Sequence, residues 1–461
     1  MEQNENMLGT QPVGKLLVKL AAPAITAQVI NALYNIVDRV YIGRLPQVGT
    51  LALAALGVSF PLIMIISAFA GLIGMGGAPR ASIAMGAGKK EKAEEILGNS
   101  FVLLMFISLA LTTLFLTFQE PLLILFGATE NTITMAKSYF SIYILGTISV
   151  QMALGLNAFI SSQGFAKVSM STVIIGAITN IVLDPILIYG FGMGIRGAAI
   201  ATVISQTISA LWVLAFLFGP KTILKLHPKN FKVKKEIVLP IIALGVSPFI
   251  MQSTESLVQL AFNSGLKRYG GSQVDQLVGS MAVILSVMQL VSLPLIGLTQ
   301  GAQPIVSYNY GAQKMDRVKQ AFCYLLMGCL TFSCTMFALC QLVPQIFVKI
   351  FSSDPALLES TVSMLRIFML GIFAMGAQMA CQQTFVALGQ AKVSMFLALL
   401  RKIILLIPMA IVLPIFWGVT GILVAEPVAD ILAATTTVVM FTRFAKKNLK
   451  TEPLAEPKAA K

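Results

Sequence analysis

The stretch KLLVKLAAPAITAQVINALYNIVDRVYIG, residues 15–43, decides the fold class of this chain. It is apolar over the length of about 20 residues with which a helix crosses a bilayer. It nevertheless carries a polar stripe at positions i, i+3, i+4 and i+7 of one helical face, formed by Asn31, Tyr34, Asn35 and Asp38. A carboxylate in a membrane helix costs about 2.5–3.5 kcal/mol on insertion scales, so it normally faces a cavity or a partner. We therefore expect Asp38 to mark an ion or substrate path, and the alternative is an acid at the membrane interface that pairs with Arg39.

The composition is that of a polytopic membrane protein. Of 461 residues, 57% are hydrophobic and 11% are charged, and the mean hydropathy is +0.85. Soluble proteins have about 25% charged residues. The net charge of +14 is spread between the hydrophobic stretches, so it does not indicate binding of nucleic acid.

Twelve hydrophobic stretches are long enough to span a bilayer. Their bounds are 15–41, 51–76, 96–118, 132–155, 168–190, 195–218, 237–266, 277–301, 318–343, 357–385, 393–416 and 419–444. The longest polar interruption divides them into two groups of six. We expect the chain to consist of a cytoplasmic tail at 1–14, an N-lobe at 15–218, a cytoplasmic linker at 219–236, a C-lobe at 237–445 and a second tail at 446–461.

The distribution of Lys and Arg sets the orientation. If the amino-terminus is cytoplasmic, most of the 33 basic residues fall in inner segments, among them Lys392, Arg401 and Lys402. Because basic residues concentrate on the cytoplasmic side of membrane proteins, both termini are expected in the cytoplasm.

The two halves of the chain repeat each other. The sequence AKVSM occurs at 166–170 and again at 391–395, an offset of 225. The same offset relates Pro23 to Pro248 and Gly76 to Gly301, and an offset of 224 relates Gly194 to Gly418. Because each half has an even number of spans, both halves enter the membrane from the same side. Parallel repeats of this kind are typical of secondary transporters, whose site lies where the repeats meet.

Five acids lie within the hydrophobic stretches rather than in tails, loops or span ends: Asp38, Asp184, Glu255, Glu426 and Asp430. Asn180 precedes Asp184 by one helical turn, and the repeat places Glu426 at the position of Thr202. A carboxyl group in a medium of low dielectric constant can exchange a proton near neutral pH, and the same oxygens could bind sodium. The sequence leaves that choice open. For Asn180 and Thr202 the alternative is hydrogen bonding between helices, which contributes about 0.6 kcal/mol on average.

Other side chains are expected to form the substrate cavity. Gln252 and Gln259 lie on one helical face with Glu255, and Tyr139 and Tyr143 are one turn apart. The five cysteines lie in apolar stretches without a CxxC pair, and the single histidine, His227, lies in a basic loop. We therefore expect neither a metal site nor a disulfide framework.

These motifs together resemble the multidrug and toxic compound extrusion (MATE) family, of the bacterial multidrug-exporter type. The resemblance rests on Pro23 with Tyr34 and Asp38, on Pro79-Arg80, on Asn180 with Asp184, and on Glu255, all within a twelve-span repeat. It extends over essentially the whole chain and implies an all-α fold of two six-helix bundles in a V shape that alternates access. It also implies a bacterial inner or plasma membrane location.

The resemblance implies roles for single residues. The cation-coupling residues would be Asp38, Asn180, Asp184 and Thr202. The helix-bending residue would be Pro23, and Glu255 would match an acid of the sodium-coupled branch. That branch has a further acid in helix ten, where this chain has only Gln378, Gln382 and Gln383. Glu255, Glu426 and Asp430 are expected to form a second cation site or to contact substrate.

The leading hypothesis is a monomeric antiporter, without a cofactor, that exports bulky cationic drugs in exchange for protons or sodium. A flippase for lipid-linked saccharides is the alternative, because its superfamily relatives share the helix count and repeat. Such a flippase is expected to line its cavity with Arg or Lys, whereas the intramembrane ionisable residues here are mostly acids, with Arg366 the main exception. A membrane enzyme is disfavoured because the chain has no His pair or metal motif, and no GxxxxGK[ST] loop indicates an ATP-driven pump.

Overall fold

The computed structural model describes residues 7–351 and 355–449, and all regular secondary structure within them is helical. The parts of the predicted tails at 1–6 and 450–461 lie outside the described residues. Helices α1 to α6 are Val13–Gly43, Gly49–Gly86, Lys90–Leu125, Ile133–Leu145 with Thr147–Ser162, Ala166–Pro185 with Ile186–Gly190, and Ile195–Phe218. Helices α7 to α10 are Lys235–Ser253 with Glu255–Tyr269, Val274–Gly311, Met315–Leu342, and Pro355–Phe368 with Ile372–Ala387. Helices α11 and α12 comprise Ala391–Leu399, Leu400–Leu406 and Ile407–Asn448.

Gly418 separates α11 from α12. By length and apolarity, 10 helices of the described chain qualify as membrane spans, or 11 if the pair bent by 56° in α4 is one span, and Ala391–Asn448 counts once among them. Within that segment Gly418 has φ 55° and ψ −136°, and the direction of the helix changes there. Residues with a side chain rarely adopt this backbone conformation. With this break the described residues form twelve spans, and the all-α architecture predicted from the sequence is confirmed.

The repeat is visible in the backbone. Gly194, at the start of α6, has φ 56° and ψ −134°, within two degrees of Gly418. The positive φ values of Gly164 (89°) and Gly389 (71°) likewise recur at an offset of 225. Positions at which the chain must turn sharply have thus kept their conformation in both halves.

Helices α1 and α7 each cross from one lobe to the other. The first half of α1, with Leu16 and Leu20, belongs to the apolar core of the C-lobe, whereas Ile42 near its end belongs to the N-lobe. In α7 the order is reversed: Ile241 packs in the N-lobe and Phe262 in the C-lobe. Each lobe therefore contributes a half-helix to its partner at the end of the bundle where both helices begin.

Glycines allow the lobes to approach closely at that end, which we call the closed end. A Cβ on Gly86 of α2 would lie 1.9 Å from the carbonyl oxygen of Tyr308, and one on Gly311 of α8 would lie 2.0 Å from that of Ile83. The two contacts are related by the offset of 225. No larger side chain fits at either glycine without separating the helices.

Hydrogen bonds also hold the short helix Met7–Thr10 on the C-lobe, to whose core Met7 and Leu8 belong. The Leu8 carbonyl accepts from Asn309 Nδ2 at 2.9 Å, and the Gln11 carbonyl accepts from Arg317 Nη2 at 2.6 Å. Lys314 Nζ donates to the Gly9 carbonyl at 2.9 Å. Carbonyl groups at the end of a helix lack partners within it, so basic side chains stabilise them well.

The linker at 219–236 packs against the N-lobe. Gln163 Oε1 accepts hydrogen bonds from the backbone N–H groups of Ile223 and Leu224, both at 2.8 Å. Phe231 stacks on Phe101 with ring centroids 4.8 Å apart. The linker therefore has a fixed path over the first lobe.

Candidate cation-coupling and substrate site

The four predicted cation-coupling residues come together inside the N-lobe. Asp38 comes from α1, Asn180 and Asp184 from α5, and Thr202 from α6. The exposed fraction is 8% for Asp38, 1% for Asn180 and 0% for Asp184. They converge because α1 packs on α5 and α5 on α6, which turns the polar faces of three apolar helices toward one another.

Asn180 is the centre of the hydrogen bonding. Its Nδ2 donates to Asp184 Oδ1 at 3.3 Å and to Thr202 Oγ1 at 3.4 Å. Thr202 in turn donates to the Ala198 carbonyl at 3.0 Å. The side-chain carboxyl groups of Asp38 and Asp184 lie next to each other. The amide thus orients one carboxylate of an adjoining pair.

Three oxygen atoms of this cluster are buried without a hydrogen-bond donor: Asp38 Oδ1, Asn180 Oδ1 and Asp184 Oδ2. Buried polar atoms in proteins almost always have a partner, and an unpaired buried charge is costly. Two carboxylates, an amide oxygen and a hydroxyl form a set of hard oxygen donors, which suits a proton or a small cation such as sodium. Within the described residues, no group of three or more His, Cys, Asp and Glu side chains could hold a metal ion.

Arg39 does not neutralise the cluster by an ion pair. Its guanidinium lies over the ring of Phe60, 5.0 Å from the centroid. Asp38 is buried rather than exposed at an interface. The arrangement is therefore that of an acid facing the interior of its lobe.

Aromatic rings adjoin the acids. Tyr139 and Tyr143 are both buried, and their rings stack with centroids 6.4 Å apart and an angle of 14° between planes. Tyr139 lies near Thr202 and Asp38, and Tyr34 lies near Asp38 and Asp184. Asn31 is exposed, and its carbonyl accepts from Asn35 Nδ2 at 2.6 Å. The predicted tyrosines thus border the cation-coupling residues.

The three acids of the C-lobe have basic partners. Arg401 Nε lies 2.7 Å from Asp430 Oδ1, and Arg401 Nη2 lies 3.4 Å from Glu426 Oε1. Lys402 Nζ lies 2.8 Å from Glu255 Oε2. The sequence analysis placed Arg401 and Lys402 in an inner segment, but both are buried within α11, with 7% and 5% exposure.

The remaining predicted residues lie along α1 and α7. Gln252 is half-buried, with its Oε1 3.4 Å from a Cβ placed on Gly71 of α2, so it faces the other lobe. Gln259 is exposed. Pro23 is buried within α1, which continues through it from Val13 to Gly43.

Sequence reasoning missed Arg401 and Lys402 as site residues. The repeat contained the signal: at an offset of 225 they correspond to Gly176 and Ala177, in the middle of α5. A residue in the middle of a span in one half should correspond to a residue in the middle of a span in the other half. Basic residues at that depth in the membrane need partners.

The family and its relatives agree with this architecture. The model of the MatE family matches residues 23–186 and 248–412, one match in each lobe. Multidrug export protein MepA of Staphylococcus aureus is 25% identical over 425 residues, which cover 92% of this chain and 92% of that protein. The MepA protein of Staphylococcus haemolyticus is 25% identical over 427 residues, covering 91% of this chain and 92% of that one.

Two solved structures share the fold. One is described as the outward-facing conformation of a multidrug resistance MATE family transporter of the MOP superfamily, with a TM-score of 0.89, 23% identity and coverage of 98% of this chain and 99% of that chain. The other is a MOP superfamily transporter from Pyrococcus furiosus whose binding pocket is described as having reverse polarity, suggesting a different function. Its TM-score is 0.89, with 22% identity and coverage of 97% and 99%.

Proposed function

This chain belongs to the MatE family of multidrug efflux transporters, and from that premise we propose that it is a secondary active antiporter. It exports bulky, amphipathic and mostly cationic compounds in exchange for protons or sodium ions that flow inward. Its relatives are named as export proteins, so the expectation that the chain is not an enzyme is confirmed.

The observation that supports coupling is the set of three buried oxygens in the N-lobe without a donor. A proton on Asp38 or Asp184 would let that carboxyl group donate a hydrogen bond to the other one. A sodium ion would instead bind to all three oxygens at once. Either cation relieves the repulsion between adjoining carboxylates. Loss of the cation restores that repulsion, and a group that gains or loses a charge in this way can bias a conformational equilibrium.

The preference for cationic substrates follows from the same surroundings. Acids and amides favour positive charge, and Tyr34, Tyr139 and Tyr143 supply rings for cation–π contact with a drug cation. Because drug and coupling cation compete for one negatively charged region, binding of one favours release of the other.

Alternating access requires the closed end to open. With the amino-terminus in the cytoplasm, the closed end faces inward. Inward opening then breaks the glycine contacts between α2 and α8. It also moves Gly164 of the N-lobe away from Met7 and Leu8, which belong to the core of the C-lobe. Gln28 Nε2, 3.0 Å from Gln300 Oε1, is a further contact to be broken. Pro23 lies next to this region and would allow α1 to bend.

We place the protein in a bacterial inner or plasma membrane, as a monomer with both termini and the linker in the cytoplasm. Large apolar side chains such as Leu109, Leu211 and Phe416 are more than half exposed, as expected for a surface in contact with lipid. Met7 and Leu8 adjoin Gly164, and the neighbouring Gln163 accepts a hydrogen bond from Ile223 of the linker, which fits a shared cytoplasmic side.

The flippase remains the second candidate, because Arg401 and Lys402 add buried basic groups to the C-lobe. Both form ion pairs with acids, however, which leaves them less able to hold a pyrophosphate. The sign of the transported compound therefore separates the two functions.

The test uses the full chain reconstituted in vesicles with an imposed proton or sodium gradient. Transport of a cationic dye is compared with that of an anionic dye of similar size, and binding of a lipid pyrophosphate is measured in parallel. Gradient-driven transport of the cationic dye supports the antiporter. Preference for the anion, or transport indifferent to both gradients, would overturn it in favour of the flippase.

A further inference from the structure

The C-lobe contains five charged side chains in ion pairs that the coupling scheme does not use, and four of the five are buried. Arg401 joins Asp430 and Glu426, and Lys402 joins Glu255. Arg401, Glu426 and Asp430 each have side-chain exposures of 8% or less, whereas Glu255 is 62% exposed. Ion pairs buried to this degree are expensive to form and are weak evidence of stabilisation alone, so another role must account for them.

The backbone of α11 is specialised at the two basic residues. Leu400–Leu406 forms a π-helical segment in the middle of an otherwise α-helical span. Segments of this kind are rare and occur frequently at functional sites, because the wider turn redirects side chains. Here adjacent residues, Arg401 and Lys402, both reach acids on other helices: Asp430 on α12 and Glu255 on α7.

The N-lobe has no counterpart of these basic residues. The offset of 225 places Gly176 at the position of Arg401, and a Cβ on Gly176 would lie 2.6 Å from Ser209 Oγ. The packing of α5 on α6 therefore leaves no space for an arginine. In the N-lobe, Asp38 and Asp184 retain oxygens without donors, whereas in the C-lobe the acids are occupied by side-chain cations.

We propose that Arg401 and Lys402 are built-in counter-cations that occupy the acids of the C-lobe and thereby restrict exchange of the coupling cation to the N-lobe. The guanidinium of Arg401 fills the place that a free cation would take between Glu426 and Asp430. A tethered cation cannot leave with the gradient, so the C-lobe keeps a constant charge through the cycle. The inference rests on the proposed coupling in the N-lobe, but its test measures binding rather than transport.

The experiment is made in a background that carries Asp38→Asn and Asp184→Asn, so that the N-lobe does not contribute. Binding of radioactive sodium to the purified full chain is measured, together with the infrared band of a protonated carboxyl group. The background protein is expected to bind no sodium and to lack the band. Adding Arg401→Gln should create one new site per molecule, seen either as one bound sodium or as one protonated carboxyl.

Two further variants separate this role from a structural one. Neutralising the acids as well, with Arg401→Gln, Glu426→Gln and Asp430→Asn together, should abolish the new site and restore a folded protein. Should the single variant not fold, Arg401→Gln with Asp430→Asn leaves Glu426 as the only freed acid, and its protonated band should appear. Lys234→Gln, which removes an exposed ion pair with Glu95, is the control and should change neither readout.

The inference would be overturned if Arg401→Gln and its double variant gained neither sodium nor a protonated carboxyl. It would also be overturned if the background protein already bound sodium through Glu426 or Asp430. Persistent gradient-driven transport by the Asp38→Asn, Asp184→Asn protein would instead contradict the proposed coupling, and the binding result would be unaffected by it.

Discussion

Arg401 and Asp430 form an ion pair of 2.7 Å inside the C-lobe, where the N-lobe has Gly176 and Gln206 at the corresponding positions of its repeat. The two halves share their backbone, including the conformation of Gly194 and Gly418, but not their charges. A duplicated scaffold thus supports two chemically different interiors, one with adjoining acids and one in which acids are paired with bases.

The N-lobe acids should be essential for coupling. Asp38→Asn or Asp184→Asn removes a carboxylate but keeps a side chain of similar size, so insertion and folding should be normal. Gradient-driven dye export in vesicles should fall to the level of empty vesicles. Glu120→Gln, an exposed acid paired with Lys137, is the matched control and should export normally. Normal export by either aspartate variant at equal expression would contradict this assignment.

The basic side chains that hold residues 8–11 on the C-lobe should favour the described state, because Met7 and Leu8 of this segment adjoin Gly164 of the N-lobe. Arg317→Gln removes charged donors to the Leu8 and Gln11 carbonyls. A hydrogen bond to a charged group contributes about 1.5–3 kcal/mol, and 1.4 kcal/mol changes an equilibrium about tenfold. The population with the closed end opened should therefore rise about tenfold or more. Spin labels at positions 87 and 313, on opposite lobes, would report it as a longer distance.

Lys447→Gln is the control for that measurement, because Lys447 is an exposed basic residue at the end of α12. Its distance distribution should match that of the wild type. An unchanged distribution in Arg317→Gln would mean that these hydrogen bonds do not set the equilibrium between states.

The tightly packed glycines of the closed end should not be replaceable by residues that have a side chain. In Gly86→Val, the new Cβ would lie 1.9 Å from the carbonyl oxygen of Tyr308. Overpacking of this kind costs about 1–3 kcal/mol or more, so the lobes should separate at this end and net export should fall. No atom lies within 4 Å of a Cβ placed on Gly57, so the control variant Gly57→Ala should leave export unchanged. Equal export by both variants would exclude a tight closed end.

Glu255 should tune substrate choice more than folding. Glu255→Gln leaves Lys402 without its ion-pair partner, so the C-lobe becomes more positive and export of drug cations should weaken relative to neutral drugs. Drug-resistance profiles across a range of pH, with the amount of folded protein measured in parallel, would test this. Adding Lys402→Gln should return the profile toward wild type. Identical profiles for all three proteins would rule out a role for this pair.

The linker should lie in the cytoplasm. A single cysteine at the exposed Lys232, in a protein without its native cysteines, should react with an impermeant thiol reagent only in inside-out membranes. The same cysteine at the exposed Leu125, at the far end of α3, should react only from the outside. Labelling of position 232 from outside would reverse the topology.

The helices and their repeat could be predicted from the order of the residues alone. Hydrophobic length fixes a span because every backbone polar group must be bonded within the bilayer, and the offset of 225 relates the two halves without any coordinates. The same order also determined which residues share a helical face, because the period of a helix places Asn180 and Asp184, or Glu426 and Asp430, one turn apart. These are local properties, and they are settled by the spacing of residues along one element.

Which acids are paired with basic residues became visible only in the packing of the helices. Asp38 adjoins Asp184 because α1 packs on α5, whereas Glu255 and Asp430 have partners because a π-helical turn of α11 directs Lys402 and Arg401 toward α7 and α12. Charge pairing depends on distances of a few ångströms between helices far apart in the chain, and no periodicity within a single helix contains those distances. The chemistry of the two lobes was therefore fixed by packing.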